Sequence, residues 1–356
     1  CYFEELNDEE KHKKFGFSIS HKNASYPTHR FYTDSKEKTK EWLENFKIFQ
    51  NPSIYDNYTL QEQIGRGKFS IVYKAISKKD NQAYAVKVID KSRLTNEERD
   101  FLLAEVSVLK ILNHNNVIKH IETIETKSII YIVTELVSDG ELFDYVIQNE
   151  FLEEVEAYVV IKQLLLSFVY IHDAGIIHRD LKPENILIHL DDRQNIKEIK
   201  IIDFGFANFV KDGHKLHETC GTPNYVAPEV LLGVGYDQKA DIWSIGIIMH
   251  LLLRGSLPFD ANDIESILEA TIREPLILEG RFWENVSPDA QDLLRRFLEK
   301  EPRQRITLQE ALNHPWIKKG KEALLPYKNK NFKASATVKE RMQSRLVHLK
   351  RVLKKQ

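Results

Sequence analysis

The ten residues HRDLKPENIL, from His178, place Asp180, Lys182 and Asn185 within one short stretch between the apolar runs LLLSFVYI and ILI. Further along, IKIIDFGFA adds Asp203. A carboxylate can take a proton from a hydroxyl, and an ammonium can steady an anionic group in transfer. An amide oxygen and a second carboxylate are hard donors suited to magnesium. Together they fit phosphoryl transfer, which asks for little covalent chemistry: a hydroxyl held in line, its proton accepted, and phosphate charge neutralised. A turn explains any one of these residues but not the set.

Upstream, IGRGKFSIVYKA carries Gly65, Gly67 and Ser70 in the pattern G-x-G-x-x-S. Glycines let a backbone fold closely over phosphate oxygens and aim its N–H groups at them. A glycine-bearing hairpin turn explains the same residues. The third glycine is replaced by Ser70, and a strand rather than a helix follows, which departs from a dinucleotide fingerprint. In AYAVKVI, Lys87 stands between Val86 and Val88 and needs an anionic partner or an exposed edge. Glu105, on the amphipathic helix FLLAEVSVLKIL, is a candidate partner, although each alone reads as an ordinary surface charge.

With CGTPNYVAPE and DIWSIG added, the order of these motifs from Tyr58 to Ile317 resembles the eukaryotic protein kinases. The resemblance implies ATP and Mg2+ as cofactors. It assigns Lys87 to the α- and β-phosphates with Glu105 as its partner, Asp180 as the base, and Asn185 and Asp203 as metal ligands. Lys182 would steady the transferred group, and Thr222 would touch Asp180 and seat the acceptor hydroxyl. Ile64, Gly65, Arg66, Gly67, Lys68, Phe69 and Ser70 form the loop over the nucleotide. The adenine would lie among Ile64, Val72, Ala85, Leu136, Leu187 and Ile202, with backbone hydrogen bonds from Glu135 and Val137. Thr134 aligns with the gatekeeper, small enough to leave a back pocket open. Glu229 would pair with Arg305 of PRQRIT.

Glu141 in SDGELFD and Glu184 in KPEN stand where basophilic kinases hold an arginine upstream of the phosphorylated residue. Lys182 and GTPNY fit a serine/threonine enzyme. Glu218 occupies the place of an activating phosphothreonine opposite Arg179, with Thr219 beside it as the alternative phosphate site. The motifs GELFD, DFGFA, APEVL and SPDAQDLL resemble the calmodulin-dependent kinase group. Within it the nearest types are the calcium-dependent protein kinases of plants and protists and, second, protein kinase D. No twelve-residue calcium loop is present, so a calcium sensor would lie outside these residues.

The elements that must position these groups follow from periodicity. From Tyr58 to Val146 the pattern is three strands, a helix and two strands; beyond Phe151 it is mostly helical. The expectation is an α+β bilobal kinase fold over 58–317, with a β-rich lobe to about residue 137, an α-rich lobe after it and a cleft between them. Ahead of it, KFGFSISH and HRFYTDS read as strands and SKEKTKEWLENFKIF as a helix with Trp42, Phe46 and Phe49 on one face, ended by Asn51-Pro52. Residues 1–50 resemble the closing strands and Trp-bearing helix of a pleckstrin-homology domain; an extension packed on the main domain is the alternative. Its usual lipid-binding loop would lie in the missing half, so no lipid site is expected here. Residues 51–57 read as a linker and 318–356 as a regulatory tail.

The chain has 356 residues, 42% hydrophobic and 29% charged, which suits a globular protein with a substantial core. It opens at Cys1 rather than Met, as a fragment of a longer protein would. Two cysteines, Cys1 and Cys220, suggest neither a disulfide framework nor a metal site, and so a reducing, cytoplasmic setting, with membrane association through a full-length pleckstrin-homology-like module. The apolar run Ile242–Leu253 is too short to span a bilayer. The net charge of −2 hides an asymmetry: residues 317–356 hold 13 Lys and Arg against 2 Glu, or +11, leaving −13 for the rest. An acidic body argues against nucleic acid and for basic protein substrates. In the tail, Val338, Met342, Leu346, Leu349 and Leu353 form one helical stripe among basic residues. Such a helix binds a calmodulin-like or EF-hand regulator, blocks its own enzyme's acidic site, or packs on the body. A pseudokinase scaffold would normally lack Lys87, Asp180 or Asp203; all three are present. The other rival is a membrane-recruitment module led by the N-terminal segment.

Overall fold

The computed structural model describes residues 2–6, 15–20, 27–50, 53–67, 69–210, 213–261 and 263–324. Two compact units divide the chain, one of residues 1–94 and 121–136, the other of residues 95–120 and 137–356.

The first unit begins with an antiparallel meander, β1 (Tyr2–Leu6), β2 (Phe15–Ser20) and β3 (His29–Thr33), followed by α1 (Lys36–Gln50). Phe17, buried on β2, stacks on Phe31 at 5.4 Å and meets the Trp42 ring of α1 at 6.2 Å. Trp42 thus faces the meander while staying half-exposed; the side chains of Phe46 and Phe49 lie outside the described residues, as do Asn51 and Pro52. The expected linker contains a helical turn, α2 (Ile54–Asn57). A capping box starts it: the Ser53 hydroxyl accepts the Tyr55 N–H and the Asp56 carboxylate accepts the Ser53 N–H. Ile54 is fully buried in a core with Tyr58, Ala75, Val86, Ile124, Tyr131 and Val133. The end of the expected linker is therefore part of the body, because an apolar side chain at Ile54 fills a space between strands.

That core lies under a second sheet made of β4 (Tyr58–Arg66), β5 (Ser70–Ser77), β6 (Ala83–Asp90), β7 (His120–Glu125) and β8 (Ile129–Glu135), in the order β4-β5-β6-β8-β7.

In the second unit α3 (Asn96–Ile111) starts earlier than its apolar pattern suggests. Thr95 and Glu98 close a capping box at its N-terminus. After it come α4 (Leu142–Asn149), α5 (Glu154–Asp173), β9 (Ile176–Ile177), β10 (Ile186–Leu190), β11 (Ile196–Ile201) and β12 (Asn208–Phe209). Then follow α6 (Pro228–Leu231), α7 (Lys239–Arg254), α8 (Ile264–Arg273), α9 (Pro288–Phe297), α10 (Leu308–Asn313) and α11 (Pro315–Lys318). Every residue of α7 from Ala240 to Leu253 is buried, which is why its sequence lacks an amphipathic stripe. Gly246 permits this: a Cβ there would stand 2.7 Å from the Cβ of Phe297. A second helix, α5, is long and apolar enough by composition to cross a membrane, which the 242–253 run is not; half of it is buried in this unit, with Ile161, Leu164, Leu165 and Phe168 fully so, while Leu166 stays exposed.

Candidate active site

The segment 178–185 hangs between two short ladders. β9 pairs with β12, and β10 pairs with β11 with Ile186 opposite Ile201. The Ile202 N–H then donates to the Asn185 carbonyl at 2.9 Å, so Asn185 and Asp203 leave the same end of the β10–β11 ladder. Register alone brings together two residues well separated along the chain.

Asp180 is 5% exposed and its carboxylate is surrounded by donors. Thr222 Oγ1 donates to Oδ1 at 2.7 Å, Lys182 Nζ meets Oδ2 at 2.8 Å, and Asn185 Nδ2 lies 3.4 Å from Oδ2. Lys182 Nζ also donates to Thr222 Oγ1 at 2.7 Å, closing a triangle of base, cation and hydroxyl. Asn185 Nδ2 donates to the Asp180 carbonyl at 2.9 Å, which turns the amide oxygen away from that bond. Gly221, at φ +102°, lets Thr222 approach: a Cβ there would stand 2.6 Å from the Arg179 carbonyl oxygen. Arg179 and Asp203 themselves hold left-handed backbone at φ +69° and +63°, strain that the surrounding contacts must maintain.

Asp241 supplies those contacts on the Arg179 side. Its buried carboxylate accepts the N–H groups of His178 and Arg179 at 2.9 and 3.0 Å and meets His172 Nε2 at 2.9 Å. Burial pushes its pKa up, but the His172 hydrogen bond, the His charges and the amide donor outweigh it, and the net shift is downward. His178 goes down as well, through burial, and its Nδ1 accepts the Asp180 N–H at 3.3 Å. Sequence reasoning gave Asp241 no role beyond its motif; its one local signal is a carboxylate opening the apolar run DIWSIG.

Arg179 links this centre to the activation segment. Its Nε donates to the Phe206 carbonyl at 2.5 Å, and Nη1 reaches Glu218 Oε2 at 3.1 Å and the Tyr236 hydroxyl at 3.4 Å. Tyr236 in turn donates to the Glu218 carbonyl at 2.7 Å. Glu218 therefore meets the arginine expected to bind a phosphothreonine. Its side chain is 70% exposed while that of Arg179 is 2% exposed, so a carboxylate already neutralises a buried cation. Glu218→Ala should lower kcat/KM about threefold, the scale of a partly exposed pair, with Thr219 unmodified in the active enzyme. Phosphate mapping with peptide kinetics checks both; unchanged turnover would remove Glu218 from the mechanism.

Glu141 and Glu184 form the acidic part of the site. The Glu141 backbone bridges to Leu187 on β10, and the Ile188 N–H donates to the Gly140 carbonyl at 3.0 Å. Both carboxyl oxygens of Glu184 are buried without a hydrogen-bond partner. Burial pushes its pKa up to about 7 against the pull of its own backbone N–H and of Lys182, with Asp180 and Glu141 acting in the same direction as burial.

In the first unit, strand register gathers the expected nucleotide residues. Gly65 lies opposite Val72, Val72 opposite Lys87, and Ala85 opposite Thr134, so these five share one face of the sheet. Gly67 takes the β4–β5 turn, its N–H donating to the Ser70 carbonyl at 2.9 Å, so the hairpin turn falls on Gly67 while Gly65 stays in β4. Arg66 pairs with Ile71, Ile64 is 46% exposed and Phe69 half-buried; Lys68 lies outside the described residues. Glu135 ends β8 opposite Tyr84. Glu105, Val137, Leu187 and Ile202 belong to the second unit, where the Glu105 carboxylate lies beside Gly205: a Cβ on that glycine would be 3.9 Å from it. Among the described residues no group of three or more His, Cys, Asp or Glu side chains is arranged to hold a metal ion.

A carboxylate, a cation and a hydroxyl in mutual contact, with the oxygen donors Asn185 and Asp203 leaving one end of the β10–β11 ladder, form an arrangement able to support phosphoryl transfer. Residues 58–317 match the protein kinase domain family, and the chain belongs to it. It is 40% identical over 261 residues to myosin light chain kinase A of Dictyostelium discoideum, covering 73% of this chain and 88% of that one. It is 38% identical over 280 residues to calcium-dependent protein kinase 5 of Plasmodium falciparum, covering 78% and 48%. It is also 39% identical over 273 residues to a serine/threonine-protein kinase of Drosophila melanogaster, covering 76% and 36%. The chain thus spans half or less of the last two relatives. With these relatives it stands among the serine/threonine protein kinases, whose domain uses ATP and a divalent metal. The family match leaves residues 1–57 outside it.

Proposed function

We propose that this kinase transfers the γ-phosphoryl group of ATP to serine and threonine hydroxyls that follow an arginine, with magnesium as its metal and in calcium signalling. The observation that carries the chemistry is the Asp180–Thr222–Lys182 triangle. Asn185 and Asp203 fit magnesium: both offer hard oxygens, and two protein ligands suffice for an ion that keeps waters and binds substrate phosphates. When bound, that ion neutralises phosphate charge. The chain's own residues do the rest. Thr222 holds the acceptor hydroxyl toward Asp180, Asp180 accepts its proton, and Lys182 stabilises negative charge as the bond to the leaving oxygen breaks. Lys87 is assigned to the α- and β-phosphates, Glu105 to its support, and the sheet face of Val72, Ala85 and Thr134 to the adenine, with backbone hydrogen bonds from Glu135 and Val137.

What supports the arginine preference is Glu184. A buried carboxyl without a partner is costly once ionised, and a guanidinium supplies the missing charge and donors. Its pKa of about 7 gives the test. The raised value means the empty protein loses stability as pH climbs from the ordinary 4.5 to about 7, where Glu184 ionises. Arginine binding gains over that interval. KM for an arginine-bearing peptide should be about tenfold higher at pH 6 than at pH 8, since one pH unit below a pKa is a factor of ten. Labelled-ATP assays of serine and threonine peptides, with and without arginine, check this. Glu184→Gln should flatten the profile and erase the arginine preference; an unchanged profile rejects the reading.

For calcium, support comes from the name of the Plasmodium relative and from the basic amphipathic pattern of the tail, which lies outside the described residues. We assign that tail to a calmodulin-like or EF-hand regulator. For residues 1–50, outside the family match, we keep the assignment to a partial pleckstrin-homology-like module as a proposal resting on the sequence resemblance. The free Cys220 thiol accords with a cytoplasmic setting.

A further inference from the structure

A groove of about 420 Å³ lies between the start of α5 and the β10–β11 turn, at the other end of β10 from Asn185. Val155, Val159 and Ile196 supply its apolar part. Two of its four carboxylates are already used. Glu156 accepts the Tyr145 hydroxyl at 2.6 Å and the Ile196 N–H at 3.1 Å, and Asp191 accepts the N–H groups of Arg193 and Asn195, both at 2.9 Å. The other two, Glu153 and Asp192, stand exposed at the rim. Glu153, at the N-cap of α5, makes no capping hydrogen bond. Arg193 and Lys321 are the basic residues of the lining.

The presence of Lys321 identifies an occupant. It opens the last described turn, Lys321–Leu324, which packs on α5 and buries Leu324. From there the chain runs on for 32 residues carrying 10 Lys and Arg against 1 Glu. We propose that the groove is the docking site of this chain's own segment 327–333, YKNKNFK. Lys328, Lys330 and Lys333 meet Glu153 and Asp192, and Phe332 enters the apolar part. An extended chain advances about 3.3 Å per residue, so this segment begins roughly 10 Å beyond Leu324, within reach of the groove. The acidic rim selects a basic occupant, and the apolar lining selects one with an aromatic side chain among its lysines. Docked there, the start of the tail is held on the second unit at the Leu190 end of β10, opposite the end that carries Asn185.

Zero-length carbodiimide coupling of the full chain, read by peptide mass spectrometry, tests this without using catalysis, so its failure and that of the kinase reading are distinguishable. Lys328, Lys330 or Lys333 should couple to Glu153 or Asp192 within one chain, and 0.5 M salt should suppress the yield. The E153Q/D192N variant should reduce those products at least tenfold. K328Q/K330Q/K333Q, which alters only the tail, should likewise increase hydrogen exchange at 153–159 at least threefold. Coupling to Glu141 or Glu184, coupling only between two copies, no coupling at all, or unchanged exchange in the tail variant would each overturn the proposal.

Discussion

Asp180→Asn should lower kcat by about a thousandfold, the range of a lost general base, while nucleotide affinity stays within twofold. The reason lies in the donors around the carboxylate. Thr222 Oγ1, Lys182 Nζ and Asn185 Nδ2 all point toward Asp180, and an amide can present only one oxygen to them. Its NH2 group would face a cation or another N–H, and it cannot take the hydroxyl proton. Nucleotide affinity is assigned mainly to Lys87, Val72, Ala85 and Thr134 on one face of the first unit's sheet, none of which is among the donors around Asp180. Steady-state kinetics with a serine peptide at saturating ATP, beside nucleotide titration, separates the two quantities. A kcat within tenfold of the parent would remove Asp180 as the base.

Arg305→Met should have the largest effect on stability. Its Nη1 and Nη2 donate to Glu229 at 2.6 and 2.9 Å, with both side chains essentially inaccessible. The remaining donors are also satisfied: Nε reaches the Glu299 carbonyl at 2.8 Å, Nη1 the Lys239 carbonyl at 2.9 Å, and the guanidinium lies over the Trp243 ring at 5.2 Å. Removing the arginine strands a buried carboxylate and costs about 3–5 kcal/mol, which for a domain of this size lowers Tm by roughly 10 °C. Adding Glu229→Gln should recover much of the loss, because the stranded charge rather than the missing attraction dominates. Calorimetry of both variants decides it. A fall below 3 °C for the single variant, or no recovery in the double, would contradict this account.

The resemblance to the protein kinases implied that Glu229 pairs with Arg305 and that Thr222 touches Asp180; both contacts are present. The order of strands and helices was also readable, because alternation and helical spacing record which side chains face a core. The capping boxes at Ser53 and Thr95 were equally local, written in S-x-x-D and T-x-x-E, yet the apolar pattern drew attention past them. Asp241 was not readable in the same way. Nothing near it in the chain indicates that its oxygens accept the N–H groups of residues 178 and 179. The unsatisfied oxygens of Glu184 were invisible too, since the same letters in an exposed loop would titrate normally.

By itself the sequence determined which functional groups exist and in what order, the periodicity that divides strands from helices, and the charge contrast between body and tail. Only the tertiary structure decided which carboxylate is buried against donors, which is buried without them, and which backbone is held in left-handed conformation at Arg179 and Asp203. The physical reason is that chemical identity and local propensity belong to a residue and its neighbours. Desolvation and hydrogen-bond partnership arise only when distant segments exclude water together.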